Sequence, residues 1–274
     1  VSALVHQGSW RHSNLIGRSL FSTIYQAMEE IAAISAGDTQ RILESYPKSI
    51  IRVLGDTRVD SVLSRRDRVT SPDFPETWNK AKVFIGGSIW PADLACLRSV
   101  LLDALEELPE LRLILVPHEP TEQHISEIKE IFSSHPTHLW SQGQKEEFAK
   151  ARVLIVDAVG VLYSLYAKAN LAFVGGAFTT GVHNIMEPAA FGLPTFFGPQ
   201  FHNYSTAIRF VEDKLAYSVR SAEELRSLIM PLLKEPDKAK ERGLQARNLL
   251  EQEAGAAHQC AELVRPFLMN SENP

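Results

Sequence analysis

From Phe173 to Gln200 the chain reads Phe-Val-Gly-Gly-Ala-Phe-Thr-Thr-Gly-Val-His-Asn-Ile-Met-Glu-Pro-Ala-Ala-Phe-Gly-Leu-Pro-Thr-Phe-Phe-Gly-Pro-Gln. Gly175, Gly176 and Gly181 let backbone approach a ligand closely, because no Cβ stands in the way. His183, Asn184 and Glu187 follow at a spacing that gathers them around the mouth of one helix. A helix mouth offers N–H donors and the positive end of a dipole, which suits a phosphate. A carboxylate beside it can accept both hydroxyls of a ribose. The same spacing also fits a purely local use, with Asn184 capping the helix and Glu187 closing a capping box.

Three other short segments carry groups able to do chemistry: Gly86-Gly87-Ser88, Pro117-His118-Glu119, and Asp157 to Gly160. Each follows an apolar run that reads as a strand. Taken singly, each is as well explained by a turn, and His118 in particular as a turn histidine. Together with the Gly175 segment they put Gly86, Ser88, His118, Asp157, Gly160, Gly175 and Gly176 at strand ends along one sheet edge, where open α/β sheets bind their ligands.

The elements that must position these groups are legible as alternating strands and helices. Residues 18–46 read as a helical stretch interrupted by a short buried strand at Ile31 to Ile34, after which Ser35 or Asp38 offers a cap. A strand is expected at Ile50 to Leu54, broken by Gly55-Asp56. Residues 61–80 are polar, contain Arg65, Arg66, Asp67 and Arg68, and end in Ser-Pro-Asp-Phe-Pro, so a surface connection between two units is expected. Beyond it come strands at Lys82–Ile89, Leu111–Val116, His138–Trp140, Val153–Val156, Leu171–Val174, Thr195–Phe197 and Ala216–Val219. Helices are expected between them, one with Pro91 in its first turn and another over Asn184–Phe191. The remainder, Ala222–Leu268, reads as helical with breaks at Pro231, Pro236 and Gly255. This alternation implies an α/β class, a Rossmann-like doubly wound parallel sheet covered on both faces. The expected division is residues 1–60 as the end of one domain, 61–80 as linker, 81–250 as a donor-binding domain and 251–274 as a C-terminal helix.

Composition bounds the rest. In 274 residues, 45% hydrophobic and 22% charged, there is enough apolar material for a sizeable core. A net charge of -5 argues against a general nucleic-acid binder. Two cysteines, Cys96 and Cys260, form no disulfide framework and no metal-ligand spacing, which points to a reducing compartment. No apolar run is long enough for a membrane span, the longest being interrupted by Asp157. Arg11, His12 and Asn14 precede any apolar run, so no signal peptide is read there, and a first residue Val rather than Met suggests a fragment. Trp10, Trp78, Trp90 and Trp140 read as packing residues, Cys96 as core, and Lys234 to Arg247 as a solvated helix face.

The series of segments resembles the nucleotide-sugar-binding half of GT-B glycosyltransferases, and among them the 3-deoxy-D-manno-octulosonic acid (Kdo) transferase family. Leu54-Gly55-Asp56-Thr57-Arg58-Val59-Asp60 is similar to that family's Gly-Asn-x-Lys-x-Asp segment, and Gly86-Gly87-Ser88 to its Gly-Ser-Thr loop. Pro117-His118-Glu119-Pro120 is similar to its Pro-Arg-His-Pro loop without the Arg, and Val156 to Gly160 to its Asp-x-x-Gly segment. Gly175-Gly176 with His183-Asn184-Ile185-Met186-Glu187-Pro188 matches its Gly-Gly…His-Asn-x-x-Glu-Pro signature. The segments occur in family order over roughly residues 18–265.

The resemblance implies a metal-independent, inverting transfer of Kdo from CMP-Kdo to lipid A precursor at the cytoplasmic face of the bacterial inner membrane, with no cofactor and no nucleic-acid partner. The chain contains no Asp-x-Asp metal motif, in keeping with that mechanism. By the resemblance Gly160 and its neighbours offer backbone donors to CMP, Glu187 holds the ribose, and Asn184 and His183 orient the loop and the phosphate or sugar. Arg58 stands where the family has Lys and is a candidate for the sugar carboxylate or phosphate, although the two side chains are not equivalent donors. The family's acceptor-side catalytic carboxylate and its membrane-facing surface match no residue here, so nucleotide binding without transfer is expected of this chain alone. The alternatives are a GT-B enzyme using a UDP-sugar, transferase or epimerase, and a non-catalytic nucleotide-binding module.

Overall fold

A computed structural model describes residues 2–3, 15–143 and 145–270. In chain order the elements are β1 (Ser2–Ala3), α1 (Leu15–Ala27), β2 (Ile31–Ala33), α2 (Ala36–Ser45), β3 (Ile51–Val53), α3 (Thr57–Arg68), α4 (Glu76–Asn79) and β4 (Lys82–Ile89). They continue with α5 (Pro91–Glu107), β5 (Leu111–Pro117), α6 (Glu122–Ile131), β6 (Thr137–Leu139), α7 (Lys145–Lys150), β7 (Val153–Ile155), α8 (Leu162–Leu165) and β8 (Leu171–Val174). The last are α9 (Met186–Ala190), β9 (Thr195–Phe197), α10 (Ser205–Glu212), β10 (Ala216–Ser218), α11 (Ala222–Lys234), α12 (Pro236–Gln252) and α13 (Ala256–Asn270). The chain forms two compact units, residues 1–65 with 250–274, and residues 66–249.

The first unit holds a parallel sheet in the order β1-β2-β3. Ile31, Ala32 and Ala33 are all buried, which is why so short a run suffices as the middle strand. Ser35 caps α2 by accepting from the Asp38 N–H at 3.1 Å. Tyr25, Ile31, Ile42 and Tyr46 form the core of this unit, with the two tyrosine rings stacked at 4.4 Å. Asp60 accepts from Gly255 N at 2.6 Å and Ala257 N at 2.9 Å, so it caps the start of α13 and ties the end of the chain to α3.

The second unit is a seven-stranded sheet in the order β10-β9-β8-β4-β5-β7-β6, and every pairing is parallel. Alternate residues of β4 and β5 enter separate clusters. Phe84, Leu113 and Leu115 pack with Leu97, Leu101, Ile128 and Leu225, whereas Val83, Ile85 and Ile114 pack with Trp78, Phe148 and Tyr166. Successive strand side chains point to opposite faces, so both faces of the sheet are covered. The α/β doubly wound class is the observed one. Strand order reverses between β4 and β8, because β5 to β7 lie on one side of β4 and β8 to β10 on the other.

Four expectations change. Residues 61–80, expected as a surface connection, are partly helical: α3 runs to Arg68 on the apolar stripe Val59, Val62 and Leu63, which lies hidden among the arginines. Phe74 and Trp78 are buried, and the Trp78 Nε1–H donates to Phe148 O at 2.6 Å. Pro231 does not end its helix. The i−4 bond it forgoes is outweighed by Leu225, Ile229, Leu232 and Leu233, all buried. Gly86 and Gly87 lie inside β4 rather than in a loop beyond it, and a register shift follows between Gly87 and Ile89. The expected helix at Asn184–Phe191 shrinks to Met186–Ala190. Trp10 lies outside the described residues.

Candidate donor-binding site

The bulge in β4 is what creates the centre of the site. At the register shift Ser88 adopts φ 56°, the left-handed region that non-glycine residues rarely enter, and this turns its side chain out of the pleat. Its Oγ lies 2.7 Å from His118 Nδ1 and 2.8 Å from His183 Nδ1. One hydroxyl therefore bridges histidines from the ends of β5 and β8, the strands flanking β4. The imidazole centroids are 4.6 Å apart, and Trp90 stacks on His118 at 4.4 Å. Trp90 Nε1–H also points to His183 Nε2 at 3.5 Å. Burial, then the neighbouring His118, push the His183 pKa down, with hydrogen bonding to the Ser88 backbone acting against them.

Beneath this cluster lies Asp93, with no exposed surface. Its Oδ2 accepts from Trp90 N at 2.8 Å and Gly176 N at 2.9 Å, joining the start of α5 to the loop after β8. Its Oδ1 is buried without a hydrogen-bond partner among the described residues. Burial raises the Asp93 pKa, opposed by the N–H groups of Gly176, Trp90 and Phe178. The loop itself is tightly wound. Gly176 has φ 95°, and its carbonyl accepts from the N–H groups of Thr179, Thr180 and Gly181. A Cβ on Gly175 would stand 2.1 Å from Ser88 O, and one on Gly176 2.4 Å from Gly181 O. Gly181 has φ 133° and packs beneath Tyr204. These glycines are required by close approach of backbone to backbone within the site.

Asn184 and Glu187 do not stand at the cap and third positions of α9, which starts at Met186. The residue before α9 is Ile185, whose own side chain makes no capping bond, and Asn184 Oδ1 accepts from Met186 N, the first N–H of the helix, at 3.1 Å. Asn184 Nδ2 approaches Glu187 Oε1 at 3.5 Å, and Glu187 also raises the pKa of fully buried Tyr166, behind the dominant effect of burial. The carboxylate thus stands half-buried at the rim.

The structure brings Ser88, His118, Gly175, Gly176, Gly181 and His183 into one cluster, with Asn184 and Glu187 continuing from it. Gly86 is removed from the candidates: it is paired on both sides within the sheet, and Ile89 and Leu115 fill the space above it. Asp157 is engaged by Ser141, whose N–H it accepts at 2.8 Å and whose hydroxyl it also accepts, so it shapes the loop after β7. Gly160 in that loop has φ 84°, with open space where a Cβ would stand. Arg58 belongs to the first unit, where its guanidinium pairs with Asp56 at 2.6 Å. Trp90 and Asp93 escaped the sequence reading, Trp90 having been taken as packing. The signal lay in Pro91: a proline at the first helical position makes Trp90 the cap and puts Asp93 where an acid can accept the cap's N–H.

No protein-family model matches the chain. Sequence relatives do. The chain is 30% identical over 156 residues to the 3-deoxy-D-manno-octulosonic acid transferase of Aquifex aeolicus, covering 56% of this chain and 42% of that protein. It is 33% identical over 129 residues to that of Chlamydia trachomatis, covering 46% and 30% respectively. To the Haemophilus influenzae protein of the same name it is 24% identical over 230 residues, covering 81% and 53%. The chain is thus similar in sequence to Kdo transferases of several bacteria. It spans about a third to a half of the length of these relatives.

Among solved structures, the C-terminal CMP-Kdo binding domain of WaaA from Acinetobacter baumannii matches at TM-score 0.57 and 25% identity, over 69% of this chain and 98% of that domain. A UDP-N-acetylglucosamine 2-epimerase-like structure from Listeria monocytogenes matches at TM-score 0.61 over 94% of this chain and 63% of its own, at 12% identity, a likeness of fold alone. The GT-B-type fold expected from the sequence is therefore the observed one.

Proposed function

We propose that this chain is the donor-binding part of a Kdo transferase that moves Kdo from CMP-Kdo to lipid A precursor in lipopolysaccharide synthesis, without a metal and with inversion, at the cytoplasmic face of the bacterial inner membrane. The observation that carries the reading is the likeness of this chain to a domain described as binding CMP-Kdo, matched over 98% of that domain's length. In this reading the cytidine ribose hydroxyls are accepted by Glu187. The phosphate lies against Ser88, His118 and His183 and the tightly wound glycine loop, with Gly160 N–H toward the nucleotide. As the glycosidic bond to CMP breaks, charge develops on the leaving phosphate, and fixed N–H and imidazole donors stabilise it without reorganising. The acceptor-side carboxylate is assigned to no residue of this chain.

Calorimetric titration of CMP, UDP and ADP into the chain, beside Glu187→Ala, tests this reading. CMP is expected to bind in preference to the other two, and Glu187→Ala to weaken it by about tenfold or more, as expected for loss of hydrogen bonds to a charged group. A preference for UDP would instead assign the chain to the UDP-sugar enzymes that share the fold. Absence of nucleotide binding by the folded chain would remove the donor-site assignments altogether.

A further inference from the structure

The direction of the hydrogen bonds around Ser88 follows from what each group can donate. Trp90 Nε1 is a donor only, and its hydrogen faces His183 Nε2 at 3.5 Å. That nitrogen accepts, so a neutral His183 carries its proton on Nδ1 and donates it to Ser88 Oγ across 2.8 Å. Ser88 has a single hydroxyl proton, which then turns to His118 Nδ1 at 2.7 Å. With Nδ1 accepting, a neutral His118 carries its proton on Nε2. His118 is exposed, and its Nε2 makes no hydrogen bond to the protein among the described residues. The stacked Trp90 face, 24° from parallel, restricts rotation of the ring.

We infer that Trp90 is a positioning residue of the donor site: acting through His183 and Ser88, it fixes the Nε2–H tautomer of His118 and so turns that ring into a hydrogen-bond donor for a phosphate oxygen of the nucleotide. This rests on the donor-site reading above. In the other tautomer His118 would present a lone pair to the phosphate, and the two would repel. Burial of His183, which favours its neutral form, sustains the chain of donors. A neutral imidazole with a fixed tautomer thus supplies the donor that an arginine would supply by its charge.

Long-range 1H–15N spectra of the imidazoles, recorded above the histidine titration range, test the tautomers without any ligand. Wild type is expected to show His183 protonated on Nδ1 and His118 on Nε2. Trp90→Phe keeps a ring against His118 and removes only the indole N–H. It is expected to mix both tautomers and to weaken CMP binding by about tenfold, as expected for one hydrogen bond to a charged group. Ser88→Gly relieves the left-handed backbone while deleting the hydroxyl, and is expected to mix the tautomers with Trp90 still present. His118 protonated on Nδ1 in wild type, or tautomers unchanged in Trp90→Phe, would overturn the inference whatever CMP does. Tautomers as derived, with CMP bound but the His118 Nε2–H resonance unmoved, would overturn the phosphate contact. Tautomers as derived with no CMP bound would sink the donor-site reading and the phosphate contact with it, leaving Trp90 only its effect on the rings.

Discussion

Asp93 shows how one carboxylate can hold a site together without touching a ligand. It is fully buried, yet it accepts the N–H groups at the start of α5 and at Gly176. Asp93→Ala strands both donors away from water and is expected to cost about 2 kcal/mol, read by urea denaturation, after allowing for relief of the buried carboxylate. The relief has its own signature. The folded pKa of Asp93 lies above its ordinary value, so the folded state holds the proton more tightly. Wild-type stability therefore falls as pH rises from the ordinary aspartate value through the folded one, and Asp93→Ala loses that part of the pH dependence. His183 acts in the opposite sense. Its folded pKa lies below 6.5, so the unfolded chain takes up protons first as the solution is acidified. Its contribution is fully present above that value and is lost as pH falls through the window beneath it. The stability advantage of wild type over His183→Gln is thus expected to shrink on acidification below neutrality, measured by denaturation at several pH values.

At the scale of elements, the longer strands of the second unit were readable because each carries a run of apolar residues with helical stretches on either side. Lys82–Ile89, Leu171–Val174 and Thr195–Phe197 coincide with β4, β8 and β9. Elements built from charged residues were not readable in this way, and α3 is the example: its buried stripe is only Val59, Val62 and Leu63 among arginines and aspartates. The serine bridge was beyond reach for a different reason. Ser88 leaves the pleat because β4 shifts register against β5, a property of two strands together and not of either sequence. The glycines separate into two kinds that the sequence presents alike. Gly160→Ala meets only the backbone penalty of its positive φ, about 1–2 kcal/mol, because nothing lies within 4 Å of the new Cβ. Gly175→Ala drives a Cβ to 2.1 Å from the Ser88 carbonyl, a backbone atom that cannot move without unseating the histidine bridge. It is expected to abolish CMP binding and lower the thermal midpoint, while Gly160→Ala keeps a folded, CMP-binding protein; calorimetry and thermal melts on the pair check this.

At the scale of the molecule, the two units differ in how much core each encloses. The two apolar clusters described on the faces of the seven-stranded sheet are composed wholly of residues between Phe74 and Ala239. The first unit closes around Tyr25, Ile31, Ile42 and Tyr46, and recruits α13 through the Asp60 cap. The small residues of α12 complete the second unit: Gly243 approaches Gly192 so closely that a Cβ would lie 1.8 Å from its carbonyl oxygen. A fragment of residues 66–252, cut after α12, therefore keeps both clusters, the Asp93 junction and the histidine bridge, while lacking Arg58 and α13. It is expected to unfold in one cooperative transition and to bind CMP within about threefold of the full chain, a difference under ~1 kcal/mol. A fragment that folds but binds CMP tenfold more weakly would instead show that the second unit does not make the nucleotide site by itself.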